Sequence, residues 1–133
     1  MEKLRVLVAE DHPTVREILA ALLRSEFEVI AAVDNGEELL NAAVLHRPDV
    51  IISDILMPVK DGLWVRTELL CRKMEIPFVF ITLMQVSQIS PLPQSISYVH
   101  KSDVMDELIA GVRAVASGEV YLSRSFREWW GNL

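Results

Sequence analysis

Five polar residues in the sequence are of types that could together carry out phosphoryl chemistry. Glu10 and Asp11 follow one short apolar run, Asp54 follows a second, and Thr82 ends a third. Lys101 lies further along the chain. Three carboxylates held close together repel one another and tend toward protonation unless a cation lies between them. Mg2+ suits such a group, because it prefers oxygen ligands and bridges carboxylates to a phosphate. The residue types therefore predict a magnesium site.

Asp54 is the candidate nucleophile of this group. A carboxylate can accept a phosphoryl group, because the transition state requires mainly alignment and neutralisation of the charge on the transferring oxygens. Lys101 can place a positive charge on the phosphate, and the Thr82 hydroxyl can donate to a phosphate oxygen. With Asp11 and Asp54 as metal ligands, every role in phosphoryl transfer has a candidate residue.

Alternating strands and helices are needed to bring these residues together. Short apolar runs at Leu4 to Ala9, Val50 to Ser53 and Phe78 to Thr82 predict strands buried on both faces, and Phe27 to Val33 predicts another. The segments between and after them carry apolar residues at helical spacing, and Ser102 or Asp103 is predicted to cap the last helix. This alternation predicts a doubly wound α/β fold, in which ligand chemistry lies at the carboxyl ends of the strands. The predicted helices are carried by Val15, Ile18, Leu19, Leu22 and Leu23; by Leu39, Leu40, Ala43 and Val44; by Leu63 to Arg72; and by Val104, Leu108, Ile109, Val112 and Val115.

Composition narrows the class of protein further. The 133 residues fit one domain, and 51% hydrophobic with 24% charged residues is typical of a folded, water-soluble chain. We expect a cytoplasmic protein, because the chain has no apolar run of membrane-spanning length and no signal-peptide pattern. Cys71 is the only cysteine, so no internal disulfide can form. The net charge of -6 disfavours direct binding to nucleic acid.

Two blocks of sequence resemble the receiver domain of two-component response regulators, a CheY-like superfamily, and in particular the NarL/FixJ type. The first is Val8-Ala9-Glu10-Asp11-His12-Pro13 with Val15-Arg16, and the second runs from Pro48 through Asp54 to Pro58 and is followed by Asp61-Gly62. Thr82, Lys101 and Tyr98 stand where that family places its hydroxyl residue, its lysine and its switch aromatic. The resemblance covers residues 4 to 122.

The resemblance implies a flavodoxin-like sheet of five parallel strands in the order 2-1-3-4-5, with a receiver domain over 1–122. It implies that Asp54 accepts a phosphoryl group from a sensor histidine kinase or a small acyl phosphate, without other enzyme activity. Mg2+ would be held by Glu10, Asp11, Asp54 and the backbone carbonyl of Leu56. Thr82 would then move toward the phosphate and Tyr98 would turn inward, which changes the surface that partners contact. Homodimerisation is a further implied interaction, and DNA would be bound only through a C-terminal helix-turn-helix domain that these residues do not include.

The sequence departs from the family pattern at several places. Residues 83–97 contain Pro91 and Pro93, so we expect the fourth helix of the family to be degenerate or replaced by a loop. Leu83 is bulky where the family prefers a small residue, and it is expected to slow phosphorylation. Trp64 is either folded onto the domain surface or a partner contact. Residues 123–133 are expected to be a C-terminal tail or the remainder of a linker.

These departures leave a second function open. A receiver-shaped module could signal by protein contact without phosphorylation, which an altered 83–97 segment and Leu83 would permit. A magnesium-dependent phosphatase on a similar sheet is disfavoured, because it needs a second acid two residues after the nucleophile and Leu56 occupies that position. The intact set of five polar residues favours the phosphorylated receiver.

Overall fold

The structure, a computed structural model, describes residues 3–84 and 96–131. Its five strands are parallel and lie in the order β2-β1-β3-β4-β5, which confirms the predicted sheet. The strands are β1 (Arg5–Ala9), β2 (Glu28–Val33), β3 (Val50–Asp54), β4 (Phe78–Thr82) and β5 (Ser97–His100). The helices are α1 (Pro13–Arg24), α2 (Gly36–His46), α3 (Gly62–Cys71), α4 (Val104–Ala116) and α5 (Arg124–Gly131), and a 3₁₀ turn at Lys101–Asp103 precedes α4.

Both faces of the sheet are covered by helices. Successive strand residues point to opposite faces, so an uninterrupted apolar run supplies both. Leu7, Ile51 and Phe80 belong to the core beneath α2, α3 and α5. Val8 and Ile52 belong to the core on the opposite face, beneath α1 and α4. The continuous apolar runs of the sequence are thus explained by burial on two sides.

Three polar side chains fix the start of the helices that leave the carboxyl edge of the sheet. The Nδ1 atom of His12 accepts from the Val15 backbone N–H at the start of α1. Asn35 does the same for α2, and Asp61 for α3. Because a side-chain cap stabilises a helix by about 1 kcal/mol, these residues set where each helix begins and hence the geometry of the loops between strand and helix.

The predicted loss of the family's fourth helix concerns residues 83–97. Of these, 85–95 lie outside the described residues. Leu83 and Met84, directly after β4, are described, and Ile96 leads into β5 with its side chain buried. The prediction for the intervening residues stays a prediction.

The residues after Leu122 pack against the domain. Arg124–Gly131 is helical, and Phe126 within it is fully buried, with its ring centroid 5.8 Å from that of Tyr98. The predicted domain boundary after Leu122 stays a prediction, but α5 covers part of the sheet. Among the described helices, none is long and apolar enough to cross a membrane.

Candidate functional site

The register of the sheet brings the predicted site residues to one edge. Ala9 pairs with Ser53, so Glu10 and Asp11, which follow β1, emerge beside Asp54 at the end of β3. Oxygen atoms of Glu10, Asp11 and Asp54 lie within 4.8 Å of one another. The adjacent acids Glu10 and Asp11 and the sequence-distant Asp54 therefore form one cluster, as predicted from the carboxyl ends of neighbouring strands.

The backbone of Asp54 lies close to Gly62, the first residue of helix α3. A Cβ atom at Gly62 would lie 2.5 Å from the Asp54 carbonyl oxygen and 2.7 Å from the Ser53 Oγ atom. Only glycine fits at this point, because any side chain would displace the strand end that carries Asp54. Val59 in the same loop has a φ of 71°, a left-handed conformation that is unfavourable for a β-branched residue.

Lys101 forms ion pairs with two of the three acids. Its Nζ atom lies 2.7 Å from Oδ2 of Asp54 and 2.9 Å from Oε2 of Glu10. Burial of the ammonium lowers its pKa, but the hydrogen bond to Asp54 and the nearby negative charges of Asp54 and Glu10 outweigh this and raise the pKa of Lys101 above its usual value. The lysine is therefore charged and is held over the candidate phosphoacceptor.

Glu10 is the most deeply buried acid of the cluster. Its Oε1 atom accepts from the His12 backbone N–H at 3.2 Å, and Arg16 donates to its backbone carbonyl at 2.9 Å. Burial and the nearby charge of Asp54 raise the pKa of Glu10, while Lys101 and the His12 N–H act to lower it. Lys101 lies close to Oε2, but no donor in the described part of the chain reaches this buried atom with hydrogen-bond geometry.

These acids fit a bound Mg2+ ion. The cluster offers only oxygen ligands, which this ion prefers. Among the described residues no well-aligned donor reaches the buried Oε2 atom of Glu10, and a bound cation would satisfy this oxygen. Asp11 is exposed, so one side of the cluster is open to solvent and to an incoming phosphate. An open cleft beside Asp11 is lined by residues 56–59 and Asp61.

Thr82 lies at the end of β4, the strand next to β3. Its side chain is buried, and its hydroxyl oxygen accepts from the Met84 backbone N–H at 2.9 Å. Leu83 is 70% exposed and Leu56 is 62% exposed, so both apolar side chains project into solvent. The expected effect of Leu83 on phosphorylation stays a prediction.

Tyr98 and Trp64 pack against the hydrophobic core. The Tyr98 ring is buried between Phe80 and Phe126, at centroid distances of 6.0 and 5.8 Å, and burial raises its pKa. Trp64 is partly buried against the core, and the Nζ atom of Lys60 lies 4.9 Å above its ring. The ring thus packs on the domain surface, and a partner contact there stays a prediction.

Three residues that support the site or the turn of its lysine are not identified by the sequence reasoning. Arg16 supports Glu10, while Asp103 and Ser123 hold the turn that carries Lys101. Arg16 belongs to the first resemblance block, which gave a weak signal for it. Asp103 and Ser123 are brought together only by the tertiary fold, so no local pattern could identify their contact.

Comparisons with known proteins find a family model and relatives that match much of the chain. A family model described as the response regulator receiver domain matches residues 6–110. The transcriptional regulatory protein LiaR of Bacillus subtilis (strain 168) is 32% identical over 122 residues, which cover 87% of this chain and 57% of LiaR. The transcriptional regulatory protein PdtaR of Mycobacterium tuberculosis (strain ATCC 25618 / H37Rv) is 38% identical over 79 residues, which cover 59% of this chain and 38% of PdtaR.

A solved structure shows the same similarity. The signal receiver domain of NarL from Mycobacterium tuberculosis has a TM-score of 0.80 and 26% sequence identity, and the match covers 90% of this chain and 100% of that chain. The chain spans less than two thirds of the length of the two curated relatives, LiaR and PdtaR.

Proposed function

The chain belongs to the response regulator receiver domain family, and on this premise we propose that Asp54 accepts a phosphoryl group and that the resulting change in charge alters a surface read by a partner. The observation that carries the proposal is the contact of Lys101 with Asp54 at 2.7 Å inside a cluster of three acids. This places a fixed positive charge at the carboxylate that would attack phosphorus.

The proposed step is a direct phosphoryl transfer. A bond forms between a carboxylate oxygen of Asp54 and phosphorus, while the bond from phosphorus to a kinase imidazole nitrogen or to an acyl oxygen breaks and its electron pair leaves with the donor. The Leu56 backbone N–H donates to Oδ1 of Asp54 at 3.2 Å, and Lys101 contacts Oδ2, so both oxygens are oriented before the donor arrives.

Glu10, Asp11, Asp54 and the backbone carbonyl of Leu56 would hold Mg2+ in this proposal. The ion would neutralise part of the charge on the transferring oxygens. The Lys101 ammonium would provide the remaining positive charge and would donate a hydrogen bond to a phosphate oxygen. The exposed Asp11 leaves the cluster accessible from solvent.

The switch is proposed to pass through Thr82 and Tyr98. The Thr82 oxygen accepts from the Met84 N–H, so its hydroxyl proton stays available to donate to a phosphate oxygen. Movement of Thr82 would then displace the residues directly after β4. Tyr98 lies on the neighbouring strand β5, where its ring contacts Phe80 of β4.

We propose that a sensor histidine kinase in the cytoplasm donates the phosphoryl group. A separate DNA-binding output domain is the proposed effector, and homodimerisation is a proposed consequence of phosphorylation. Relatives named as transcriptional regulatory proteins, which are longer than this chain, support an output domain outside these residues. The domain itself is proposed to act as a signalling module whose only chemistry is its own phosphorylation.

Incubation with acetyl phosphate and Mg2+, followed by intact mass, tests the proposal. The native chain should gain the mass of one phosphoryl group, and Asp54→Asn should gain none. Asp34→Asn is the matched control, because Asp34 is an exposed acid that follows β2 at the same edge of the sheet, and it should behave as the native chain does. Uptake by Asp54→Asn would refute the proposed acceptor. No uptake by a folded, Mg2+-bound native chain would favour the phosphorylation-independent interaction module.

A further inference from the structure

The turn that carries Lys101 is held on both sides by one buried hydroxyl. The His100 backbone N–H donates to Oγ of Ser123 at 2.9 Å, and this hydroxyl donates to Oδ2 of Asp103 at 2.6 Å. His100 immediately precedes Lys101, and Asp103 is the last residue of the Lys101–Asp103 turn. Ser123 is fully buried, so its hydroxyl is not free to exchange these partners for water.

The backbone of Ser123 is itself fixed to the sheet. The Tyr98 N–H donates to the Tyr121 carbonyl and the Ser123 N–H donates to the Tyr98 carbonyl, each at 3.0 Å, so residues 121–123 run along the outer edge of β5. Directly after this contact, Phe126 of α5 is buried beside the Tyr98 ring. The position of the hydroxyl is therefore determined by the packing of the C-terminal segment.

The Asp103 side chain bonds to Ser123 and does not cap helix α4. It occupies the N-cap position of α4, yet its side chain makes no capping hydrogen bond to that helix. Its Oδ2 atom accepts instead from the Ser123 hydroxyl and from the Ser125 N–H at 3.1 Å. An N-cap side chain normally stabilises its own helix, whereas this carboxylate joins the lysine turn to α5.

We propose that Ser123 is a positioning residue for Lys101. By fixing the His100 N–H and the Asp103 carboxylate, it keeps the lysine turn where Nζ reaches both Asp54 and Glu10. The inference rests on the proposed phosphoryl chemistry of Asp54. It makes the C-terminal segment part of the machinery of the site, since loosening that segment would loosen the lysine.

Ser97 provides a matched control on the same edge strand. Its hydroxyl accepts from the Tyr121 N–H at 2.9 Å, so it fastens the same C-terminal segment to β5, and it is also buried. It lies at the opposite end of β5 from the Lys101 turn. Loss of either hydroxyl leaves one backbone N–H without its partner, and Ser123→Ala also removes the hydrogen bond to Asp103.

The first measurement is the rate of phosphorylation by acetyl phosphate at saturating Mg2+, at a temperature where every variant is folded. Because a misplacement of about 1 Å can lower a rate by about 100-fold, we expect Ser123→Ala to lower the rate by about tenfold. Ser97→Ala should change it by less than about twofold. Equal rates for the two variants would overturn the inference while leaving Asp54 as the acceptor.

The second measurement is the Mg2+ affinity of the unphosphorylated protein by calorimetry, which does not depend on phosphorylation. Lys101→Met should raise the affinity, because the ammonium repels a cation bound between Glu10 and Asp54. Ser123→Ala should raise it several-fold in the native background, and should have no added effect in the Lys101→Met background. Equal effects in both backgrounds would show that Ser123 does not act through Lys101.

The two measurements separate the inference from the function on which it rests. If the native chain takes up no phosphoryl group, the proposed function fails, and the Mg2+ cycle still decides the role of Ser123. Should Ser123→Ala fail to fold, Asp103→Asn takes its place in both assays, because it removes the charged acceptor and leaves the Ser123 contact with His100. The same pattern of results is expected, with a smaller change.

Discussion

Replacing Phe126 with alanine should detach α5 from the sheet. The side chain is fully buried, and its ring lies 5.8 Å from Tyr98 and 6.1 Å from His100 between centroids. Truncation of a buried phenylalanine costs about 3–5 kcal/mol. Of the other described contacts of α5, the Arg127–Glu107 ion pair is half exposed and contributes about 1 kcal/mol or less. Phe126 should therefore supply a large part of the free energy of docking.

Trypsin can measure this docking directly, because Arg124 and Arg127 lie within α5. When cleavage is slow relative to reclosing, its rate follows the population of the undocked state. A loss of about 3 kcal/mol corresponds to a rise of about 100-fold in cleavage at these two arginines, and the rise stops once α5 is fully undocked. The free energy of global unfolding in urea should fall by no more than the docking free energy.

Met105→Ala serves as the control, because this side chain is 67% exposed on α4 and should change stability by about 0.5 kcal/mol or less. If Phe126→Ala is cleaved at the control rate and unfolds at the control midpoint, the ring does not hold α5 against the sheet. The account of the C-terminal segment would then be wrong, including its link to Lys101.

Three further perturbations test other parts of the structure. Val59→Asn should raise stability by about 0.5–1 kcal/mol in thermal unfolding, because asparagine tolerates the left-handed φ of 71° better than valine; a lower midpoint would contradict this strain. Gly62→Ala should cost about 1–3 kcal/mol and slow phosphorylation, because its Cβ would meet the Asp54 carbonyl, and native-like urea unfolding would disprove the close contact. Burial raises the pKa of Glu107, but hydrogen bonds from the Arg124 N–H and the Tyr121 hydroxyl outweigh it and lower the pKa overall. The ionised Glu107 therefore stabilises the fold above its unfolded-state pKa of 4.5, and this stabilisation is lost as pH falls through its lower folded-state pKa. Glu107→Gln should make the free energy of unfolding depend less on pH in this acidic range, and an unchanged pH profile would contradict this role of Glu107.

The sheet and the acid cluster could be predicted from local patterns. Continuous apolar runs such as Phe78 to Thr82 indicate strands buried on both faces, and their order follows from the resemblance. The position of a polar residue at the end of a parallel strand then predicts which side chains meet. Glu10, Asp11 and Asp54 can therefore be grouped from the sequence alone.

The C-terminal helix could not be predicted in this way, because its stability comes from distant residues. Arg124 and Ser125 begin α5, and their N–H groups are accepted by Glu107 and Asp103 from another part of the chain. A short helix of this kind forms through tertiary contacts more than through propensity. The sequence predicts Ser102 or Asp103 as the cap of α4, but the Asp103 carboxylate makes no capping hydrogen bond and accepts from the Ser123 hydroxyl, which only the tertiary fold brings to it.

Chemical trapping of the phosphorylated residue tests the central claim most directly. An aspartyl phosphate is an acyl phosphate, and borohydride reduces it to the alcohol, so a phosphorylated aspartate becomes homoserine. After treatment with acetyl phosphate, Mg2+ and borohydride, peptide mapping by mass spectrometry should find homoserine at position 54 alone. Homoserine at position 11, or no reduced residue in a folded and Mg2+-bound chain, would contradict the assignment of Asp54 as the phosphoacceptor.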